Sequence, residues 1–198
     1  MIIERLCREH RNNERLLAVL ERELEVFDHG DRPDYEVVRA IISYFELYPE
    51  AYHHPQEDLV FAKLRIRNPA AAAKVGNLAL EHQDGAEHLR RVAQAVDGVL
   101  TDRQFLRQEV DRIVHDFIEH QRRHIMMEER DFYPAALEAL APEDWTEIAS
   151  AVTSHRDSLF SDAAEETFDA LRARILQLEG EAELERHTSW PEVVSTGR

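Results

Sequence analysis

The chain has 198 residues, of which 43% are hydrophobic and 32% charged, and its formal net charge is −16. This acidic excess disfavours nucleic acid and anionic membranes as partners, and a single cysteine, Cys7, excludes a disulfide framework and cysteine-based metal sites. No apolar run is long enough to predict a transmembrane helix, and early charged residues do not fit a secretory signal. We therefore expect a cytoplasmic protein.

Four long segments carry hydrophobic residues at alternating spacings of three and four, which predicts amphipathic helices. They cover about residues 3–29, 34–67, 70–99 and 102–139. Pro49 and Pro55 interrupt the second segment and predict a kink or bulge near residues 49–55, while Thr101 fits the N-terminal cap of the fourth. The connections are short, so neighbouring helices should run antiparallel. The sequence thus predicts an all-α fold, an up-down-up-down four-helix bundle with additional C-terminal helices.

The chain continues beyond the four predicted bundle helices. Further helical pieces are predicted at about residues 142–153 and 162–180, and their hydrophobic residues should pack on the outside of the bundle. From about residue 181 a charged helical end leads into a loose tail. We therefore predict a bundle domain over residues 1–140, a helical extension over 141–180 and a flexible tail over 181–198.

Histidines interrupt the hydrophobic faces of three predicted helices. His10 lies in the first, His82 in the third, and His120 and His124 lie in the fourth. One inward histidine is commonly a hydrogen-bonded core residue, but several need a shared explanation, because each buried polar group without a partner costs about 1–3 kcal/mol. The remaining unpatterned histidines are predicted to lie on the surface; they are His29, His88, His115, His155 and His187.

A histidine followed by Glu at the fourth position, an acid at the fifth and Phe at the eighth occurs twice, as His53 with Glu57 and as His124 with Glu128. Residues four apart share one face of a helix, so an imidazole and a carboxylate can reach the same metal cluster. At ~1.5 Å per residue, both pairs, His10 and His82 lie roughly 10–21 Å from the same end of an antiparallel bundle. This common level predicts a metal site built from nitrogen and oxygen ligands.

At these positions the chain resembles the hemerythrin-like family, the HHE cation-binding domain. The matching stretches are "REHRNN", "YPEAYHHPQED", "LEHQD" and "EHQRRHIMMEERDFYP", and the resemblance covers about residues 1–140. It implies a four-helix bundle that holds a non-haem di-iron centre with an oxo or hydroxo bridge. The ligands it implies are His10, His53, His82 and His124, the bridging carboxylates Glu57 and Glu128, and His54 as an additional ligand.

The sequence departs from the respiratory hemerythrins at two positions. These proteins carry a second histidine four residues after the ligand of the third helix, where this chain has Ala86. They also carry an aspartate five residues after the histidine of the fourth helix, where this chain has Glu129, directly after Glu128. Glu129 is expected to be solvated or to lie beside the ligands. Five histidines, two bridging carboxylates and a bridging oxygen leave one position open on the two irons, unless His120 also coordinates; we expect His120 to lie beside the ligands instead.

The function expected from this resemblance is binding or sensing of oxygen, or of a related small molecule such as peroxide or nitric oxide. The alternatives are a di-iron oxidase or peroxide-reducing enzyme, a regulatory module that binds iron or zinc, and a metal-free interaction bundle. Zinc or manganese could replace iron at such a site. A ferritin-like centre is disfavoured because Glu-x-x-His occurs only once, from Glu50 to His53.

Overall fold

The computed structural model describes residues 2–101, 106–159 and 162–189, and no strand occurs in these ranges. The helices are α1 (Ile2–Asp28), α2 (Tyr35–Tyr48), α3 (His54–Arg67), α4 (Pro69–Val75), α5 (Leu78–Leu100), α6 (Arg107–Met127), α7 (Tyr133–Ala139), α8 (Pro142–Leu159) and α9 (Asp162–Ser189). Two short π-helical turns join consecutive helices, Pro49–His53 between α2 and α3 and Glu128–Phe132 between α6 and α7.

Four helical columns form the bundle, and each packs beside its neighbours in chain order. α1 packs against α2 and α6, and α5 packs against α2 and α6. The second column continues through the first π-turn into α3, and the fourth continues through the second π-turn into α7. The predicted all-α bundle with additional C-terminal helices is therefore confirmed.

The π-turns explain how the second and fourth columns bend without ending. In each turn a backbone N–H donates to the carbonyl five residues earlier, His54 to Pro49 and Tyr133 to Glu128. Proline lacks an N–H, so Pro49 and Pro55 cannot continue an unbroken α-helical ladder. The first π-turn, Pro49–His53, lies where the sequence predicts a kink or bulge, and the second turn lies in the stretch that carries His124 and Glu128. Such turns often occur at functional sites.

Two boundaries differ from the sequence prediction. The segment predicted at about 70–99 is divided at Gly76, whose φ of 93° lies in the left-handed region that favours glycine. Thr101 does not cap the fourth helix; its hydroxyl donates to the carbonyl of Asp97 at the end of α5, at 2.7 Å. α6 instead begins at Arg107, after Leu106, and residues 102–105 lie outside the described ranges.

The described residues form two hydrophobic clusters at different levels of the bundle. One cluster lies among α1, α2, α5, α6 and α9, and the other lies among the starts of α1 and α5 and the helices α3, α4, α7 and α8. On each column the candidate ligands occur between a residue of one cluster and a residue of the other. The flanking pairs are Leu6 and Leu16, Tyr52 and Val60, Leu78 and Leu89, and Ile118 and Phe132. A polar layer therefore crosses the bundle between two apolar layers.

The helices after the bundle pack on its outer surface. α8 contacts α3, where Arg67 donates to Asp144 at 2.8 Å. α9 contacts α1 and α2; Ile175 and Leu178 are buried there, and Arg172 lies over the rings of Tyr44 and Tyr48. α9 continues to Ser189, and the rest of the predicted tail, residues 190–198, lies outside the described residues, as do the side chains of His155 and His187.

None of the helices in the described ranges is both long and apolar enough to cross a membrane.

A pair of neighbouring residues tests the docking of α9. Ile175 is fully buried, whereas Leu176 is 39% exposed. We expect Ile175→Ala to lower the free energy of unfolding by about 2–4 kcal/mol, because it leaves a cavity beneath the helix. Leu176→Ala should change it by less than about 1 kcal/mol. Urea unfolding followed by circular dichroism measures both, and equal effects would contradict the docking of α9 through Ile175.

Candidate metal centre

Seven polar side chains from four helical columns meet in the layer between the two hydrophobic clusters. They form two groups that share Glu57, and within each group the potential ligand atoms lie within 4.8 Å of one another. The groups are His54, Glu57, His82 and His124, and His10, His53, Glu57 and Glu128. The structure thus brings together all seven residues that the sequence singled out as candidate ligands.

The first π-turn and the start of α3 supply three of these side chains. His53 ends the π-turn, and His54 begins α3. Consecutive residues on a helix point in different directions, since one turn takes about 3.6 residues. His53 accordingly joins the group of His10, while His54 joins the group of His82. Glu57, one turn further along, belongs to both groups.

Each of the two buried carboxylates directs one oxygen toward each group. Oε1 of Glu57 lies 3.2 Å from Nε2 of His53, and its Oε2 lies 3.4 Å from Nε2 of His82. Oε1 of Glu128 lies 3.2 Å from Nε2 of His124, and its Oε2 lies 3.2 Å from Nε2 of His10. Each carboxylate therefore connects a histidine of one group with a histidine of the other.

The atoms that face one another in this layer are deeply buried, and several of them make ion-pair contacts but no hydrogen bond. Glu57 and Glu128 are both 0% exposed. No described residue forms a hydrogen bond with Oε2 of Glu57, either carboxylate oxygen of Glu128, or Nε2 of His82 and His124. Leaving buried polar atoms unsatisfied is costly, and imidazole nitrogens with carboxylate oxygens are ligands for iron, zinc and manganese. The residues therefore fit a site for metal cations.

Three further carboxylates, which belong to neither group, contact candidate histidines at Nδ1. Oε2 of Glu9 lies 2.7 Å from Nδ1 of His53, and Oε1 of Glu129 lies 3.0 Å from Nδ1 of His10. Oε1 of Glu50 lies 3.2 Å from Nδ1 of His54. A carboxylate at one ring nitrogen fixes the orientation and tautomer of a metal-binding histidine. Glu129 thus lies beside a candidate ligand, which is one of the two places expected for it.

Sequence reasoning did not identify Glu9, Glu50 or Tyr133. Glu50 could have been found, because it precedes His54 by four residues and repeats the spacing of the two His-x3-Glu pairs in reverse. Glu9 gives no such signal, since it reaches His53 across the interface between two helices. Tyr133 depends on the second π-turn, which changes the direction of the residues that follow Glu128.

Tyr133 places a hydroxyl at the centre. It donates to Oε1 of Glu57 at 2.5 Å and lies 3.2 Å from Nε2 of His10. Its ring stacks on His10 with centroids 5.5 Å apart. Burial and the nearby carboxylates of Glu57 and Glu128 raise the pKa of Tyr133 well above its usual value, so this side chain is a protonated donor at neutral pH.

In this layer the surroundings favour protonation of some histidines and oppose it at others. Burial opposes protonation of His82, but Glu128 and Glu57 outweigh it and raise the pKa of His82 to about 9. Burial likewise opposes protonation of His53, whose pKa is nevertheless raised well above 6.5 by Glu57 and Glu9. Burial dominates at His124 and lowers its pKa to about 4. Burial raises the pKa of Glu57, but the imidazoles of His53 and His82 prevail and hold it well below 4.5.

His120 lies outside both groups. Its ring is parallel to that of His124 at 6.4 Å and stacks on His88 at 4.9 Å. His88 is therefore half-buried against His120 rather than fully on the surface, which corrects the prediction for it, whereas His29 and His115 are exposed as predicted. Gly85 allows His120 to approach α5, because a Cβ there would lie 3.3 Å from Nε2 of His120.

Comparisons with known proteins agree with this geometry. A family model described as the hemerythrin HHE cation binding domain matches residues 1–136, more than half of the chain. No curated protein and no solved structure matches the chain significantly. The matched region includes all seven side chains of the two groups.

The protonation pattern predicts that metal binding releases protons. The nearby carboxylates raise the pKa of His82 to about 9 and that of His53 well above 6.5, so both favour the charged imidazolium form, and a metal ligand must be deprotonated. We expect about two protons to be released per chain on loading at pH 7, and weaker metal binding as pH falls. Titration in a dilute indicator buffer measures the release, with His82→Ala releasing about one proton fewer. Loading without proton release would contradict these pKa directions.

Proposed function

This chain belongs to the hemerythrin HHE cation-binding family, and on that basis we propose that it holds a non-haem di-iron centre. The centre would bind or sense oxygen or a related small molecule, such as peroxide or nitric oxide. In this proposal one iron is bound by His54, His82 and His124, the other by His10 and His53, and Glu57 and Glu128 bridge the two.

The observation that carries this proposal is the position of the two bridging carboxylates. Glu57 and Glu128 are fully buried, and each directs one oxygen toward each group of histidines. A single cation would leave carboxylate oxygens of this layer without a partner, and an unpaired buried charge is strongly destabilising. Two cations, one in each group, would use every one of these oxygens.

The two groups differ in their number of imidazoles, which supports binding of an outside molecule. One group has three histidines and the other has two. His54 supplies the third imidazole of the group that contains His82. The respiratory hemerythrins have a histidine at the position that Ala86 occupies in this chain. Iron in such sites takes about six ligands, so the ion held by His10 and His53 would keep an open position.

The protein residues around this position would control what happens there. When bound, the two irons supply redox and Lewis-acid chemistry. Tyr133 holds a protonated hydroxyl beside His10 and Glu57, where it can donate a hydrogen bond to a molecule at the centre. The two hydrophobic clusters exclude water from above and below the layer, and Glu9 and Glu129 fix the two imidazoles.

Tyr133 also favours a second candidate function, a di-iron oxidase or peroxide-reducing enzyme. A buried hydroxyl in contact with two candidate ligands can act as a proton donor during turnover. Catalytic consumption of hydrogen peroxide would favour this enzyme. A reversible spectral change without consumption would favour a sensor or binding protein, including a regulatory module that binds iron, zinc or manganese.

The proposal predicts about two iron ions per chain after expression in iron-rich medium, with absorption that changes when azide is added. Glu57→Ala with Glu128→Ala should hold almost no iron, because the bridging ligands are lost. His115→Ala is the matched control and should keep about two ions, since His115 is exposed and outside both groups. Metal analysis and absorption spectra measure these outcomes. A wild-type chain without stoichiometric metal would rule the proposal out.

Tyr133→Phe tests the proton-donor role on which the enzyme candidate rests. The variant should keep the iron content of the wild type, because no proposed ligand is removed. If the chain is a peroxide-reducing enzyme, turnover should fall about 100-fold with loss of the proton donor. Tyr44→Phe is the control, since this buried hydroxyl donates to Asn13 instead. Unchanged turnover in Tyr133→Phe would contradict a proton-donor role for Tyr133.

A further inference from the structure

A cavity of about 140 Å³ adjoins one of the two histidine groups. Side chains from α2, the first π-turn, α3, α5 and α6 line it, and His54 and His82 are among them. The rings of these two histidines stack 3.6 Å apart. Ala86 and Gly85 also line the cavity, and their small side chains leave it space beside the histidines.

The cavity has an acidic outer rim. Glu46, Glu50 and Glu81 line it and are exposed to solvent. Arg90 also lines it, but its guanidinium donates two hydrogen bonds to Glu87, so its charge is largely offset. Acidic side chains at the rim of a cleft raise the local concentration of cations and speed their association.

A series of polar side chains connects this rim with the candidate metal centre. Glu50 lies 3.2 Å from Nδ1 of His54. The side chain of His54 is 16% exposed, more than that of any of the other four candidate histidine ligands. His82 follows, with 8% exposure and an Nε2 atom that makes no hydrogen bond to a described residue. A cation in the cavity would therefore meet carboxylate, then imidazole, then the buried layer.

We propose that this cavity is the route by which divalent metal cations enter and leave the centre, with Glu46 and Glu81 attracting the ion and His54 as the first imidazole it meets. The inference rests on the proposed metal centre. A neutral diatomic molecule would gain nothing from the acidic rim, so the dependence of uptake on charge and salt distinguishes a cation route from a path for gas molecules.

Uptake of Co²⁺ by the full chain, stripped of metal with a chelator, tests the route through its rate. Cobalt gives visible absorption without any need for oxygen. Glu46→Gln with Glu81→Gln should slow uptake about fivefold at low ionic strength, and the difference should vanish near 1 M salt, where the Debye length is about 3 Å. Ala86→Phe should slow uptake at every salt concentration by filling the cavity. Both variants should reach the wild-type cobalt content, because neither removes a proposed ligand.

Matched controls separate the route from net charge and from side-chain bulk. Glu36→Gln with Glu143→Gln makes the same charge change at exposed positions away from the cavity. Ala73→Phe adds the same bulk to a different cavity, lined by Phe61 and Gly76. Both controls should load at the wild-type rate, and circular dichroism should show that all variants are folded.

Three results would overturn the inference in different ways. Cobalt uptake at the wild-type rate by both variants, Ala86→Phe and the double variant Glu46→Gln with Glu81→Gln, would leave the proposed metal centre unaffected. It would show that metal ions enter by another route. If the wild-type chain takes up no cobalt at all, the proposed centre is wrong, and so is the proposed route to it. Slowing that is equal in the control variants would also contradict a specific route.

Discussion

The structure depends on a layer of imidazoles and carboxylates buried between two hydrophobic clusters. Both carboxylates at its centre are fully buried, and several of the atoms that face one another make no hydrogen bond to any described residue. Such a layer is costly in a bundle core unless its charges are compensated. Metal cations would provide this compensation, while the clusters on either side hold the four columns in register. The same clusters keep water away from the centre and so strengthen its electrostatic interactions.

Two π-helical turns make the layer geometrically feasible. Each adjoins one His-x3-Glu pair: His53 ends the first turn and Glu128 begins the second. The extra residue in each turn changes the direction of the side chains that follow, which brings His54 to the group of His82 and Tyr133 to the centre. Carboxylates from α1 and from the turns then fix three imidazoles from outside. The group of His82 thus gains its third imidazole from His54, which directly follows the first turn, because Ala86 cannot provide one.

Periodicity was sufficient to predict the bundle and the level of the candidate site, because ligands on one helix face interrupt an otherwise apolar stripe. It could not predict where the third segment divides, since that depends on the backbone conformation of Gly76. The sequence also did not predict contacts between columns. The approach of Glu9 to His53 and the stacking of His88 on His120 arise from helix packing. The sequence also did not assign adjacent His53 and His54 to different groups, a partition that follows from the different directions of consecutive residues on a helix.

Anomalous X-ray diffraction from crystals of the iron-loaded chain, measured at the iron absorption edge, tests the central claim most directly. The account predicts two iron peaks in the buried layer, one beside His82 and His124 and one beside His10 and His53, with Glu57 and Glu128 in contact with both. A single peak, or iron bound outside the layer, would contradict a centre in which these two carboxylates bridge a pair of metal ions.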